Sequence, residues 1–266
     1  MNIKKDFRII SLVPSLTETI CDFGLTARVV GCTSFCISPK ELRHTVPSVG
    51  GTKDARIEDI IALKPTHVLV NREENTTHLI EQLKSLSHQH NFDVVETFLK
   101  SPLDNFLLID HLGSVFDFKT AAQKWLEEQQ RSLEKLEKSN QQRSTFQFAY
   151  FIWMNPWMVS GNQTYISSTL SLIGGINTIQ TGHDLKERYP VVEPHDERLS
   201  QADILLFSSE PFPFRHRHIE EFKRVSENQR PTLKVDGQAL SWYGSHFSKA
   251  ILYLGSLYDD IQKALV

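Results

Sequence analysis

Short apolar runs rich in Ile, Val, Leu and Phe recur in the first hundred residues at 8–13, 28–32, 67–71 and 93–98, separated by segments of helical period. Alternation of this kind predicts βαβ units. The first helix is expected to start at Ser15, with Ser15 as its cap and Glu18 reaching back three residues later. Further helices are expected at 56–63 and 76–86, and Pro65 ends the earlier one at a tight turn into the strand at 67–71. The pattern then changes to a long helical stretch, first 103–115 and then 119–138. Ala122, Trp125, Leu126, Leu133 and Leu136 form one apolar stripe on an otherwise solvated rod. At roughly 1.5 Å per residue such a rod is about 30 Å long, enough to run from one lobe to another. Strands resume at 147–153, 204–208 and 232–235, and a closing helix is expected at 247–265. The pattern predicts an α/β chain made of an N-terminal αβ lobe (1–116), a backbone helix (117–140) and a C-terminal αβ lobe (141–266).

An internal echo points the same way. Residues 63–74 and 199–210 align without a gap, each reading as helix end, short turn, buried parallel strand and polar loop ending in Glu. If the echo is real, Glu74 and Glu210 occupy matching rims of the two lobes; chance similarity between two αβα units is the alternative.

Composition narrows the class. The chain has 266 residues, 40% hydrophobic and 23% charged, with 29 basic against 32 acidic side chains. These are the proportions of an ordinary globular protein. Basic and acidic residues are interspersed, which predicts no nucleic-acid partner. No apolar stretch approaches the roughly 18 to 20 residues of a membrane span. The apolar run at 8–13 is too short for a secretory core and is closed by Pro14, so the chain as written is expected in the cytoplasm. A periplasmic location is the alternative if an export signal is missing from this chain. Cys21, Cys32 and Cys36 are odd in number and lie close together, as in a protein without a disulfide framework. A metal site at Cys-x3-Cys is the alternative, although no fourth ligand stands beside it.

Catalytic signatures are absent: there is no G-x-S-x-G, no phosphate-binding G-x-x-x-x-G-K-[ST] and no G-x-G-x-x-G after a strand. His88-x-His90 and His216-x-His218 read as surface pairs rather than metal ligands. No catalytic and no metal-ligating residue is therefore assigned. Aromatic loops carry the remaining signal. Residues 153–161 leave a strand with Trp153, Asn155 and Trp157, and residues 241–246 join the last strand to the last helix with Trp242 and Tyr243. Loops at the carboxyl ends of parallel strands bind ligands in open α/β sheets, and these would form an apolar wall for a large planar ring. Trp157 and Trp242 are the stronger candidates for that wall, and Trp153 the weaker.

Several segments together resemble a known family: 9–18 (IISLVPSLTE), 49–51 (VGG) with 57–65 (IEDIIALKP) and 68–70, Asn155-Pro156 with Ser160-Gly161, 174–177 (GGIN), and Ser241-Trp242-Tyr243. Over nearly its whole length the chain resembles the class III periplasmic-binding-protein-like superfamily. These are the substrate-binding proteins of vitamin B12 and iron-siderophore ABC importers, and the resemblance is closer to the cobalamin branch. It implies two Rossmann-like αβ lobes with parallel-type sheets, joined by one backbone helix, with a ligand cleft between them. The ligand implied is cobalamin, another corrinoid or a ferric chelate, bound without covalent chemistry. Carried over by position, Pro14, Ser15, Gly51, Asn71, Asn155, Trp157, Trp242 and Tyr243 are implied to bind ligand, and Glu74 and Glu210 to dock on an ABC permease. The chain is expected to be a monomer. Two departures stand out: Asn71-Arg-Glu-Glu74 lacks the Trp expected near Asn71, and no export signal is seen. A cytoplasmic metal-handling, sensor or enzyme-like protein on the same scaffold is the alternative function.

Overall fold

The apolar runs form two sheets. A computed structural model describes residues 6–140, 143–182 and 184–266. In chain order the elements are β1 (Ile9–Ser11), α1 (Pro14–Ile20), β2 (Val29–Cys32), α2 (Leu42–Thr45), α3 (Ile57–Ala62), β3 (His67–Asn71), α4 (Thr77–His90) and β4 (Asp93–Thr97). They continue as α5 (Pro102–Val115), α6 (Lys119–Asn140), β5 (Phe146–Trp153), β6 (Met158–Ser160), α7 (Tyr165–Ser171), β7 (Gly175–Asn177) and α8 (Glu197–Ser200). The last are β8 (Ile204–Ser208), α9 (His216–Ser226), β9 (Thr232–Val235), α10 (Gly237–Ser241) and α11 (Phe247–Leu265).

The chain divides into two compact units that are not contiguous in sequence. The first holds the chain up to Leu99, Asn105–Leu126 and Tyr243–His246; the second holds Lys100–Asp104, Glu127–Trp242 and Phe247–Val266. Helix α6 contributes its start to one unit and its remainder to the other, and buries Ala122, Gln129, Leu133 and Leu136 along one face.

In the first unit four strands run parallel in the order β2-β1-β3-β4. Strands covered on both faces need no polar alternation, which is why Ile9-Ile10 and Val68-Leu-Val are apolar. One face packs Ile10, Leu12, Val68 and Val70 against Ile60, Leu79, Ile80 and Leu83 of α3 and α4. The strand order reverses between β1 and β3, and the loops at their carboxyl ends form the switch point of this sheet.

The expected start of α1 is corrected. Its N-cap is Val13, without a side-chain cap, and Pro14 opens the helix with its missing N–H where none is needed. Ser15 and Glu18 are both buried inside it, and Glu18 turns toward other partners. Helix α4 does use a side-chain cap, Thr76, and runs on to His90 before Asn91 ends it in the left-handed region at φ 54°.

The second unit has five strands in the path β6-β5-β8-β9, with β7 also paired to β5. β5, β7, β8 and β9 are parallel, whereas β6 returns antiparallel to β5 through a turn with Asn155 at φ 60°. A three-residue Met-Val-Ser strand is too short to announce itself by periodicity. Its core joins Phe151, Trp157, Phe207, Phe214 and Phe222 with Val159, Ile179, Leu199 and Leu205.

Candidate functional site

At the carboxyl edge of the first sheet, residues 243–246 are held against the loops that follow the strands. The Tyr243 hydroxyl donates to Glu74 Oε1 at 3.2 Å, in the loop after β3, and lies beside the hydroxyls of Ser15 and Thr97. Burial, then the neighbouring Glu74 carboxylate, push this hydroxyl well above the usual tyrosine range. Asn71 Nδ2 donates to Thr97 Oγ1 at 3.1 Å, and Asn71 Oδ1 accepts the N–H of Glu73 at 2.8 Å. The Ser245 N–H donates to Thr19 Oγ1 at 3.1 Å, and the Gly244 N–H donates to Asn105 Oδ1. His246 Nδ1 meets Glu18 Oε2 at 2.6 Å, while Ser38 Oγ donates to Glu18 Oε1 at 3.2 Å. Only glycine fits at 244, where φ is +76° and a Cβ would lie 1.9 Å from Thr19 Oγ1.

Four of the residues expected to bind ligand or dock, Ser15, Asn71, Glu74 and Tyr243, thus meet in one polar cluster, and Pro14 is the buried neighbour of Ser15. Gly51 lies in the adjoining loop, its N–H bound to Asp54 Oδ1 at 2.9 Å, and a Cβ there would come within 3.2 Å of the Phe35 ring. Asn75 links that loop to the cluster by donating to Thr52 O and Leu12 O. Ser15, Asn71 and Tyr243 are buried. Their side chains therefore shape this edge of the unit more than they present themselves to solvent. The Glu18–His246 pair was not legible, because no sequence spacing joins residues 228 positions apart.

The second unit holds the other half of the aromatic pair. Trp242 Nε1–H donates to Glu210 Oε1 at 2.7 Å, and Ser241 Oγ donates to the same oxygen at 3.3 Å. Burial holds the Glu210 carboxyl above the usual range, opposed by hydrogen bonds from Trp242, Gln238 and Ser241. Glu74 and Glu210 are both half-buried acceptors for an aromatic donor, rather than bare rim charges.

Trp157, expected in the ligand wall, sits in the aromatic core of the second unit. Its indole is 9% exposed, stacked on Phe214 and set edge-on to Phe151 and Phe222, because the hairpin after β5 turns it inward. Trp153, the weaker candidate, is 40% exposed and T-shaped against Phe212 at 5.6 Å, with the exposed Asn155 two residues on. Phe212 in turn packs on Phe214 at 4.8 Å and on the His218 imidazole at 5.1 Å. The Phe212 N–H donates to Ile152 O, which ties the loop after β8 to the end of β5. Arg215, His216 and Arg217 follow on the surface at the start of α9, where the Arg215 N–H donates to His218 Nδ1 at 3.1 Å. Desolvation, then the Arg217 and Arg215 charges, lower the pKa of His218. The result is an aromatic shelf beside a cationic run. Its sequence signal was the Phe-Pro-Phe-Arg-His-Arg-His segment directly after an apolar strand. A hollow of about 490 Å³ lined by Ser209, Lys234, Val235, Asp236 and Gln238 lies at the same ends of β8 and β9.

Among the described residues no three His, Cys, Asp or Glu side chains gather to hold a metal ion, and no helix is long and apolar enough to cross a membrane. His88 and His90 lie in the last turn of α4, and His216 Nε2 lies 3.8 Å from Glu220 Oε1.

A family model described as periplasmic binding protein matches residues 9–226. The high-affinity heme uptake system protein IsdE of Staphylococcus aureus (strain Newman) is 25% identical over 230 residues, 84% of this chain and 72% of that protein. Among solved structures, the periplasmic vitamin B12 binding protein BtuF of Vibrio cholerae superposes with a TM-score of 0.77 at 18% identity, covering 96% of this chain and 98% of that one. The periplasmic heme-binding protein BhuT, in complex with two hemes, gives 0.79 at 19% identity, covering 98% and 99%. The match to periplasmic binding proteins over most of the chain overturns the expectation of a cytoplasmic protein, which rested on a short apolar run near the start.

Proposed function

Since this chain belongs to the periplasmic binding protein family, we propose that its ligand is a metal tetrapyrrole, a heme in the first place, which it hands to an ABC permease. Membership makes it a solute-binding protein rather than an enzyme. The observation that carries the ligand class is the aromatic shelf of Trp153 and Phe212 beside Arg215, His216 and Arg217. A tetrapyrrole offers a flat apolar face, whose burial contributes about 25 cal/mol per Å² before association costs. Heme also carries two propionates, and guanidinium groups bind carboxylates in a planar, two-bond geometry. An imidazole such as His216 is a common ligand to iron. The named function of IsdE supports the same choice. A corrinoid is the second reading, supported by the similarity to BtuF and by the resemblance of 9–18, 49–65 and 241–243 to the cobalamin branch.

In this reading Asn155 and Trp153 border the ring. Pro14, Ser15, Gly51, Asn71 and Tyr243 hold the shape of the loops of the first unit and Trp242 that of a loop of the second, and Glu74 and Glu210 meet the permease. The test is a pair of titrations of the purified protein, one with hemin and one with cyanocobalamin, read by absorbance and calorimetry. Heme is expected to bind at micromolar concentration or tighter, and Trp153→Ala to weaken it by about fivefold, the worth of one aromatic contact of roughly 1 kcal/mol. Binding of cyanocobalamin alone would replace the heme reading by the corrinoid one. Binding of neither at tens of micromolar would remove the tetrapyrrole.

A further inference from the structure

The three cysteines play no part in the proposed ligand site, yet they are buried together in the first unit as thiols. Cys32 ends β2, and its register partner on β1 is Ser11. Cys36 returns to the same place. Its N–H donates to Thr33 O at 3.1 Å, closing a four-residue turn, and its Sγ lies 3.9 Å from Ser11 O. The Cys36 sulfur also meets Thr17 Oγ1 at 3.0 Å and Thr33 Oγ1 at 3.2 Å, so both cysteines converge on Ser11.

We propose that Cys32 and Cys36 are a dithiol pair that closes to an intramolecular disulfide across the loop following β2. Cys32 lies opposite Ser11 in the sheet, and the turn at 33–36 brings Cys36 Sγ to 3.9 Å from Ser11 O, so bond formation joins two side chains on one turn rather than distant strands. The electrostatics name the attacking sulfur. The neighbouring Cys32 thiol and the Thr17 and Thr33 hydroxyls draw Cys36 toward the thiolate against the opposing effect of burial, whereas the neighbouring Cys36 sulfur and burial keep Cys32 protonated. Cys21 is pushed up to about 11 by burial, which leaves it inert.

The oxidant is a disulfide, either a small one such as oxidised glutathione or that of a disulfide oxidoreductase. The Cys36 thiolate attacks one of its sulfurs, forming a mixed disulfide and releasing one thiol. Cys32 then loses its proton and attacks Cys36 Sγ, which releases the second thiol. One external disulfide is reduced to two thiols as two protein thiols become one disulfide. The family's periplasmic setting supplies such oxidants. Cys36 is fully buried, so exchange takes place when the loop at 33–38 opens locally; its tip carries Phe35, 58% exposed. The disulfide would fasten that loop, and with it the Phe35 ring that lies against Gly51. The inference rests on family membership and on these contacts, and stands whichever ligand is bound.

Trypsin cleavage at Arg28 and Lys40 places Cys32 and Cys36 in one peptide, 29–40, and Cys21 in another, 9–28. The full-length protein is equilibrated with oxidised glutathione, denatured, labelled with a maleimide, digested and weighed. Peptide 29–40 is expected to lack two hydrogens and carry no label, peptide 9–28 to carry one label, and the oxidised protein to melt higher than the reduced one. Cys21→Ser is expected to oxidise identically, and Cys32→Ser to stop at a glutathione adduct on Cys36. Two labels on 29–40, a cross-link between 9–28 and 29–40, or a lasting glutathione adduct on the wild type would each overturn the proposal. The wild-type readout decides even where a serine variant fails to fold.

Discussion

Replacing Trp157 and Trp153 in turn by alanine separates a core indole from a surface one within the same loop. Trp157 is 9% exposed and touches three phenylalanine rings, with centroids 5.0 Å away for Phe222, 6.0 Å for Phe151 and 6.2 Å for Phe214. A buried Trp removes roughly 200 Å² from water, which at about 25 cal/mol per Å² gives an upper figure of about 5 kcal/mol. Large aromatic-to-alanine changes in cores cost about 3–5 kcal/mol, because the neighbours fill the space only in part. We expect Trp157→Ala to lose about 4 kcal/mol. For a chain of this size that lowers Tm by roughly 8–16 °C. Trp153 stands at 40% exposure against Phe212, and its removal is expected to cost under about 1 kcal/mol while weakening ligand binding. Thermal and urea unfolding followed by far-ultraviolet circular dichroism read both variants, and ligand titration follows on each that folds. A Trp157→Ala protein melting within about 2 °C of wild type would refute the packing argument. Equal destabilisation by the two variants would remove the distinction between core and shelf.

Tyr243→Phe deletes the donor to Glu74 Oε1 without changing shape, so a half-buried carboxylate loses a partner; a loss of about 1.5–3 kcal/mol is expected in urea unfolding. Gly244→Ala combines a left-handed φ with a Cβ 1.9 Å from Thr19 Oγ1, and is expected to cost about 2–4 kcal/mol, read as a lowered Tm. The raised carboxyl of Glu210 gives a pH signature. The native state binds its proton more tightly than the unfolded chain, so stability is highest below the ordinary glutamate pKa and falls as pH rises from there through the folded value. Glu210→Gln keeps an acceptor for the Trp242 N–H and is expected to flatten that fall, measured as Tm against pH; an unchanged slope would count against a buried, proton-holding Glu210.

The strands were legible wherever burial on both faces imposed an apolar run, and 67–71 and 204–208 were found to the residue. What the pattern missed were contacts and short elements. The Ser15–Glu18 spacing imitates a capping box, but Pro14 already starts the helix and Glu18 is claimed by His246 from the far end of the chain. Trp157 followed the rule that an aromatic in a loop after a strand faces ligand. What the rule did not foresee is that β6, only three residues long, converts that loop into a hairpin packed on Phe214 and Phe222. Tyr243 and Glu74 were singled out separately, and nothing in their spacing of 169 residues joins them by a hydrogen bond.

Trp242 and Tyr243 are covalent neighbours, yet one is counted with the second unit and the other with the first. Each donates its polar hydrogen to the glutamate that follows a buried parallel strand of its own unit, Glu210 for Trp242 and Glu74 for Tyr243. The two glutamates at the ends of the repeated helix-turn-strand-Glu pattern therefore share a local chemistry, an acid steadying an aromatic. This bears on any docking role. A carboxylate offers about four acceptor directions, so an incoming arginine can bind Glu210 while Trp242 keeps its hydrogen bond. A guanidinium favours the ionised form, however, and the Glu210 carboxyl is held above its ordinary range by burial. Docking through Glu210 must then release a proton whenever that carboxyl is still protonated. The consequence is an affinity for a cationic partner that rises with pH across the titration of Glu210, and that loses this dependence in Glu210→Gln.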